Sequence, residues 1–168
     1  MHALLGYLWC FSRVFIRAAS GRKRFNVLGA LDPFTFDIFT VTNDSYINSQ
    51  SVVLLLQELR ERFPDIPITL VMDNARYQRC RLVMDLAQEL QIELLFLPPY
   101  SPNLNLIERF WKFVKKQCLH AAYYESFELF KAAITDCIDG STIEHRQELT
   151  SLLSLNFQSF DNVNLMCC

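Results

Sequence analysis

Two short apolar runs, each followed by a stretch with helical periodicity, restrict the fold of this chain more than any other feature. The first run covers residues 68–72 and is followed by Asp73, and the second covers residues 92–97. The stretch between them carries apolar residues at the spacing of one helix face, namely Cys80, Val83, Met84, Ala87 and Leu90. Nearly continuous apolar strands that alternate with helices are typical of a parallel sheet covered on both faces. This half of the chain is therefore predicted to have an α/β fold.

The first third of the chain shows a different pattern, rich in aromatic and β-branched residues. Three such segments cover residues 7–15, 25–31 and 36–41, and a turn sequence at residues 32–35 separates the last two. This pattern indicates antiparallel strands joined by a hairpin. Combined with the parallel strands further along, it predicts a mixed sheet flanked by helices.

Helical spacing recurs elsewhere in the chain. One amphipathic helix is predicted between the capping candidate Asn48 and Pro64. Another follows the proline-rich loop 98–103, which cannot extend a strand because proline lacks the N–H donor. That helix is predicted to run to about residue 118, with a core stripe made of Leu104, Ile107, Trp111, Val114 and Cys118. Two more helices are predicted at residues 126–138 and 143–155.

Composition sets the class of protein. With 168 residues, 51% of them hydrophobic, the chain is the size of one globular domain with a substantial core. No apolar run approaches the roughly 20 residues needed to span a bilayer, and the start of the chain does not resemble a signal peptide. The six cysteines lack the spacing of a zinc site, so reduced thiols and a cytoplasmic location are expected.

Positive charge is concentrated near the start of the chain, although the net charge is −2. Five basic residues precede Asp32, the first acidic residue: Arg13, Arg17, Arg22, Lys23 and Arg24. Two interpretations stay open for this segment. It forms either a solvated turn around Gly21 or a local patch that contacts a phosphate backbone.

Two carboxylates occupy positions where a catalytic site is expected. Asp73 follows a buried strand, and Glu108 lies one turn into a predicted helix. In open α/β sheets, ligands bind where strand ends and helix starts meet. Each carboxylate also has a structural explanation, since Asp73 is placed to cap the next helix and Glu108 to pair with Lys112. Their matching context favours a shared site, with both carboxylates facing one cleft.

At these positions the chain resembles transposases of the mariner superfamily, in particular their bacterial insertion-sequence branch. The resemblance depends on LVMDNAR at residues 70–76 and LPPYSPNLNLIERFW at residues 97–111. It depends also on the thirty-four residues that separate Asp73 from Glu108. The sequence FNVLGAL at residues 25–31 is similar to a strand of the same family.

The resemblance implies a fold, a domain and a reaction. The fold is ribonuclease H-like, and residues 1–160 are expected to form a DDE transposase catalytic domain followed by a tail at 161–168. Asp73 and Glu108 would be the second and third members of a catalytic Asp-Asp-Glu triad that binds Mg²⁺ or Mn²⁺. The reaction would be nicking of DNA at the ends of a mobile element, followed by strand transfer into target DNA. A homo-oligomer associated with the bacterial nucleoid is expected.

The resemblance also suggests residues with supporting roles. Asn74 would either orient Asp73 or form a turn, Trp111 is expected in the core, and Tyr100 would stack on a base or pack locally. Five basic residues near the two carboxylates would either contact DNA phosphates or form a solvated surface, namely Arg76, Arg109, Lys112, Lys115 and Lys116.

The chain departs from the family at its start. His2 resembles the last residue of the family's Asp-x-x-His stretch, so the strand with the first catalytic Asp is expected to be missing, as is the DNA-reading helix-turn-helix region. The contexts of Asp32, Asp37 and Asp44 do not favour any of them as a replacement. Two interpretations follow. One is a truncated transposase catalytic domain, whose activity the loss of the first Asp leaves open, and the other is a non-catalytic remnant that binds DNA or oligomerises. An unrelated ribonuclease H-like nuclease fits the proline loop less well.

Overall fold

The computed structural model describes residues 23–98, 104–120 and 122–155. Several predicted features lie outside the described residues. These are the strand at residues 7–15, most of the proline loop with Tyr100, the tail after residue 155, His2, and the basic residues Arg13, Arg17 and Arg22.

The predicted hairpin consists of strands β1 (Asn26–Leu31) and β2 (Ile38–Asn43), which pair antiparallel. The Asp32 carboxylate accepts hydrogen bonds from the backbone N–H groups of Phe34 at 2.8 Å and Thr35 at 3.3 Å, and these bonds hold the turn. The second strand begins two residues later than predicted. Phe36 adopts a left-handed φ of 67° and is only 8% exposed, so its ring enters the core where an extended residue would continue the strand.

Helix α1 (Ser49–Arg62) begins where the sequence predicts. The Asn48 side chain accepts hydrogen bonds from the backbone N–H groups of Gln50 and Ser51, and the Ser51 side chain completes a capping box. The helix buries one apolar face, formed by Val52, Leu55, Leu56 and Leu59.

Arg60 anchors the segments that follow α1. Its guanidinium donates hydrogen bonds to the carbonyls of Phe63, Pro64 and Ile66 in the loop after the helix. It also donates to the carbonyls of Leu90 and Gln91, which directly precede the last strand. One cation therefore joins two loops that are distant in sequence.

Strands β3 (Ile68–Met72) and β4 (Ile92–Phe96) pair in parallel, and helix α2 (Arg81–Glu89) lies between them in the chain. One face of this pair packs against residues of α1 and α2. The opposite face is exposed and carries Thr69, Val71, Glu93 and Leu95. The expectation of a sheet covered on both faces is therefore wrong for the described residues. The next helix along the chain packs against the hairpin, and a cavity of about 520 Å³ separates its first turn from Thr69, Val71 and Leu95.

The described strands form two separate two-stranded sheets, where the sequence predicted one mixed sheet. Side chains connect the two sheets, because Leu28 and Ala30 of β1 pack in one cluster with Ile68 and Leu70 of β3. The α/β class is confirmed. None of the helices in the described part of the chain has the length and apolar character needed to traverse a lipid bilayer.

Helix α3 (Leu106–Val114) continues as one π-helical turn (Lys115–Leu119). Its predicted core stripe is only partly correct. Val114 is buried, but the most deeply buried aromatic residues are Phe110 and Phe113, while Leu104 is exposed. The difference arises because α3 has apolar neighbours on two sides. Ile107 and Trp111 contact the hairpin, whereas Phe110 and Phe113 belong to the core shared with the last two helices.

Helices α4 (Phe127–Glu144) and α5 (Arg146–Leu152) complete the described fold. Ser126 caps α4 by accepting a hydrogen bond from the backbone N–H of Leu129, and the helix runs further than the sequence predicted. Ile134, Ile138, Leu149 and Leu153 of this helical pair surround the buried side of α3. The core of the C-terminal half therefore depends on the position of α3.

The described cysteines are free thiols, as expected from the sequence. The pKa of Cys118 is raised from 9.0 to about 12, mainly by burial and in addition by the neighbouring Cys137. The Cys118 Sγ donates a hydrogen bond to the Val114 carbonyl at 2.9 Å. The packing between α3 and α4 therefore stabilises the protonated form of the Cys118 thiol.

Gly29→Ala should destabilise the chain because β1 and α3 approach closely at this residue. A Cβ atom at Gly29 would lie 2.8 Å from Trp111 Cζ2, and such overpacking costs about 1–3 kcal/mol. Gly140→Ala is the matched control. A Cβ there meets no atom nearer than 3.5 Å, and alanine within a helix stabilises by about 0.5–1 kcal/mol. Urea unfolding of both variants tests the contrast, and equal stabilities would contradict it.

Alkaline pH should weaken the fold through Cys118. Its folded pKa lies above the unfolded value, so the unfolded chain releases this proton first. The stabilisation is complete below pH 9.0 and is lost as the pH rises toward about 12. Melting temperatures between pH 8 and pH 11 should therefore fall more steeply for the wild type than for Cys118→Ala. Parallel curves for the two proteins would show that the thiol does not contribute.

Candidate functional site

Asp73 and Glu108 line the same cavity, which has a volume of about 270 Å³. The sequence-based expectation that the two carboxylates share one cleft agrees with this placement. Asp73 directly follows the last residue of β3, and Glu108 lies in the first turn of α3. A carboxylate is favoured in that turn because the N-terminal end of a helix carries partial positive charge. The rest of the described lining is mainly apolar and comes from β1, α1, β3 and α3.

The position of Glu108 depends on a close contact between α3 and the hairpin. Gly29 of β1 has no Cβ, and the Trp111 ring and the Ile107 side chain occupy the space beside it. Ile107 and Trp111 flank Glu108 on the helix and line the same cavity. Trp111 is half-buried, so the predicted core role holds for the part of its ring that packs on the hairpin.

The structural explanations for the two carboxylates are not observed. The 3₁₀ turn Arg76–Gln78 and helix α2 both begin without a side-chain cap, so Asp73 does not cap either of them. The ion pairs formed between described residues do not include one between Glu108 and Lys112. Both carboxylates are exposed. Their placement on one cavity is therefore not explained by capping or by a local ion pair.

Tyr77 adds a hydroxyl group to the cavity and was not predicted from the sequence. Burial raises the pKa of Tyr77, and the negative charge of Asp73 raises it further, while a hydrogen bond with the Gln78 side chain lowers it. The net effect keeps the hydroxyl protonated near Asp73. The sequence signal that could have identified Tyr77 is its short distance from Asp73. Tyr77 and Gln78 lie in one short turn that follows the carboxylate after the strand.

Two amide side chains in this segment contain buried oxygen atoms that have no hydrogen-bond partner in the described part of the chain. These atoms are Asn74 Oδ1 and Gln78 Oε1. Gln78 lines the cavity, whereas Asn74 is not among the described residues that do so. No hydrogen bond between Asn74 and Asp73 is present among the described residues, so the expectation that Asn74 orients Asp73 stays a prediction.

The other candidate carboxylates lie elsewhere. Asp32 holds the hairpin turn, and Asp44 forms an ion pair with Lys131 at 3.1 Å. Asp37 lines a different cavity, between β2 and α4. Of the described residues around the 270 Å³ cavity, Asp73 and Glu108 are the acidic ones. The described part of the chain contains no cluster of three His, Cys, Asp or Glu residues suited to a metal ion.

The predicted DNA-contacting residues differ in their surroundings. Arg76, Lys112 and Lys115 are exposed, and exposed Lys116 lies 3.6 Å from Glu148 in an ion pair. Arg109 donates hydrogen bonds to the carbonyls of Leu152 at 3.3 Å and Ser154 at 3.0 Å, so it helps to hold the end of α5 against α3. A role of all five in binding phosphates stays a prediction.

The carboxylates of Asp73 and Glu108 fit a divalent ion by their chemistry. Mg²⁺ and Mn²⁺ prefer hard oxygen ligands, and Mg²⁺ often binds through one or two carboxylates together with water and substrate phosphates. Two carboxylates on one cavity that is open to solvent meet that requirement. Asp73 and Glu108 are therefore the residues of the described lining that could hold such an ion together with a phosphate group of a bound substrate.

A family model described as DDE superfamily endonuclease matches residues 12–131, which is more than half of the chain. No match was found among curated protein sequences.

Solved structures similar to the chain include transposase and integrase catalytic cores. A Mos1 mariner paired-end complex with Mn aligns with a TM-score of 0.64 at 17% identity, covering 88% of this chain and 46% of the Mos1 chain. The isolated catalytic domain of Mos1 aligns with a TM-score of 0.58 at 15% identity, covering 78% of this chain and 73% of that domain. The catalytic core of BIV integrase aligns with a TM-score of 0.52 at 16% identity, covering 72% and 84%. The chain thus spans less than half of the Mos1 chain in the paired-end complex, and the shared feature is a ribonuclease H-like fold.

Asp73→Asn and Glu108→Gln should leave the fold intact, because both side chains are exposed. We expect each free energy of unfolding to change by less than about 1 kcal/mol. Met72→Ala is the control for a buried neighbour and should cost about 2–5 kcal/mol. Denaturant unfolding measures all three, and a large loss in either carboxylate variant would assign that side chain a structural role.

Proposed function

Because the chain belongs to the DDE superfamily endonuclease family, we propose that it is a transposase catalytic domain that cuts DNA and joins strands with the help of Mg²⁺ or Mn²⁺. The observation that carries this proposal is that Asp73 and Glu108 line one cavity. The similar Mos1 structures include a paired-end complex with Mn and a strand transfer complex, which supports both the metal and the reaction.

The residues of this cavity divide the chemistry among them. Asp73 and Glu108 would supply the anionic oxygens that hold divalent ions. Such ions would provide the chemistry that activates a water molecule or a 3′-hydroxyl and stabilises the leaving oxygen of an in-line phosphoryl transfer. Tyr77 keeps its proton near Asp73, so its hydroxyl would be able to donate a hydrogen bond to a group bound in the cavity. Met72, Ile107 and Trp111 form an apolar wall beside the two carboxylates.

The proposed DNA-binding surface extends from this cavity along α3. Lys112 lies one helical turn after Glu108, and Lys115 and Lys116 lie in the π-helical turn beyond it. Arg76 is exposed in the 3₁₀ turn after Asp73. Each cation that neutralises a phosphate releases a counterion, so binding should weaken as the salt concentration rises. We propose that the DNA consists of mobile-element ends and target sites, bound by a homo-oligomer, and that the element is a bacterial insertion sequence.

A second candidate function is DNA binding or oligomerisation without cutting. It is favoured by the absence, among the described residues, of a cluster of three potential metal ligands. The family resemblance implies a triad, and Asp73 and Glu108 are two of its members. Under this alternative, residues 1–160 form a remnant of a catalytic domain that has lost its activity.

Nicking of supercoiled plasmid DNA in Mn²⁺ distinguishes the two functions. If the chain is a nuclease, Asp73→Asn and Glu108→Gln should each reduce the nicking rate by at least about 100-fold, the upper range for loss of a group that supports a metal site. Asp37→Asn is the control, since Asp37 lies on another cavity, and it should nick at the wild-type rate. DNA binding by the wild type without nicking would support the non-catalytic function and contradict the nuclease.

A further inference from the structure

Both of the buried side-chain oxygens that have no partner among the described residues belong to the segment just after Asp73. They are Asn74 Oδ1 and Gln78 Oε1. Nearly all buried polar groups in proteins have a hydrogen-bond partner, and an exception often marks a place where a ligand or an ordered water binds. Their position beside one of the two cavity carboxylates is therefore informative.

Gln78 is the member of this pair that reaches the cavity. Gln78 is among the residues that line the same cavity as Asp73, Glu108 and Tyr77, and it is only 6% exposed. Its backbone N–H donates to the Ala75 carbonyl at 3.0 Å, which fixes the 3₁₀ turn. The main chain is thus held in place while the acceptor at the end of the side chain remains unused.

An unused buried acceptor lowers stability, because the oxygen loses its hydrogen bonds to water and gains none in return. Leucine has nearly the same volume and would pack against the apolar lining without that cost. The hydrogen bond between the Gln78 side chain and Tyr77 accounts for the N–H end of the amide, but no described residue uses Oε1. A group that binds in the cavity and donates a hydrogen bond would be a partner for that oxygen.

We infer that Gln78 is a positioning residue whose Oε1 accepts a hydrogen bond from the O–H group that reacts at Asp73 and Glu108, either water or a DNA 3′-hydroxyl. This inference rests on the proposed nuclease function and adds a residue to it. A neutral amide suits the role, because it orients a hydroxyl without adding a third negative charge beside the two carboxylates. It also does not compete for the proton that the reacting hydroxyl must lose.

Gln78→Leu tests the inference, with Gln88→Leu as the matched control on the exposed side of α2. Without metal, Gln78→Leu should melt at the wild-type temperature or above it. With plasmid DNA present, it should bind Mn²⁺ about 10-fold more weakly, and its kcat for nicking should fall about 10- to 100-fold with little change in KM for DNA. Gln88→Leu should match the wild type in every measurement.

The two possible hydroxyl donors are separated by two reactions. Nicking of intact plasmid uses water, and strand transfer from a pre-nicked oligonucleotide uses a 3′-hydroxyl. A defect in nicking alone would identify water, and a defect in strand transfer alone would identify the 3′-hydroxyl. A defect in both would show that Gln78 serves each donor in turn, so all three results support the inference.

Other results would overturn it. A melting temperature several degrees below that of the wild type would make Gln78 structural. Mn²⁺ binding that Asp73→Asn abolishes and Gln78→Leu leaves unchanged, with unchanged nicking, would overturn this inference and leave the proposed function intact. A wild-type chain that binds no Mn²⁺ in the presence of DNA would overturn both.

Discussion

The close contact between β1 and α3 is the constraint on which the candidate site depends. Gly29 has no Cβ, and the Trp111 ring occupies the space that a Cβ atom would need. Helix α3 is thereby held against the hairpin, and the hairpin in turn packs on β3 through Leu28 and Ala30. Asp73 and Glu108 lie on elements that are not neighbours in the chain. This series of apolar contacts therefore fixes the position of one carboxylate relative to the other.

The same arrangement separates the groups that stabilise the fold from those proposed to do chemistry. Phe110 and Phe113 lie on the buried side of α3, whereas Glu108 projects from the exposed part of the same helix. Met72 is buried, and Asp73, the next residue, is exposed. Each carboxylate thus has a buried apolar neighbour that limits its conformational freedom. The carboxylates themselves stay exposed to solvent.

Much of the fold could be predicted from local signals in the sequence. The Asn48 cap, the hairpin turn at Asp32 and the strand before Asp73 each depend on interactions within a few residues, and each was predicted correctly. The burial of α3 was predicted less well, because a helix with apolar neighbours on two sides has no single stripe. The exposed face of β3 and β4 was also missed. Strand composition indicates hydrophobicity, but whether a face is covered depends on where distant helices pack.

The residues of the candidate site could be predicted from the sequence only where the residue type itself suggests a catalytic role. Asp73 and Glu108 stood out because ligands in open α/β sheets bind where strand ends and helix starts meet, and both carboxylates occupy such positions. Tyr77 and Gln78 did not, since neither residue type points to a site until its burial and its partners are known. An unpaired atom is a property of three-dimensional packing and leaves no trace in the order of residues.

Arg60 has a consequence for how this fold opens in solution. Its five hydrogen bonds connect the loop that leads into β3 with the turn that leads into β4, so both parallel strands begin at one shared cation. If either loop moves away, the guanidinium N–H donors of Arg60 lose the carbonyl partners in that loop. The two strands should therefore open together in a single local unfolding event, and the strand that ends at Asp73 gains protection against hydrogen exchange from an arginine at the opposite end of the sheet.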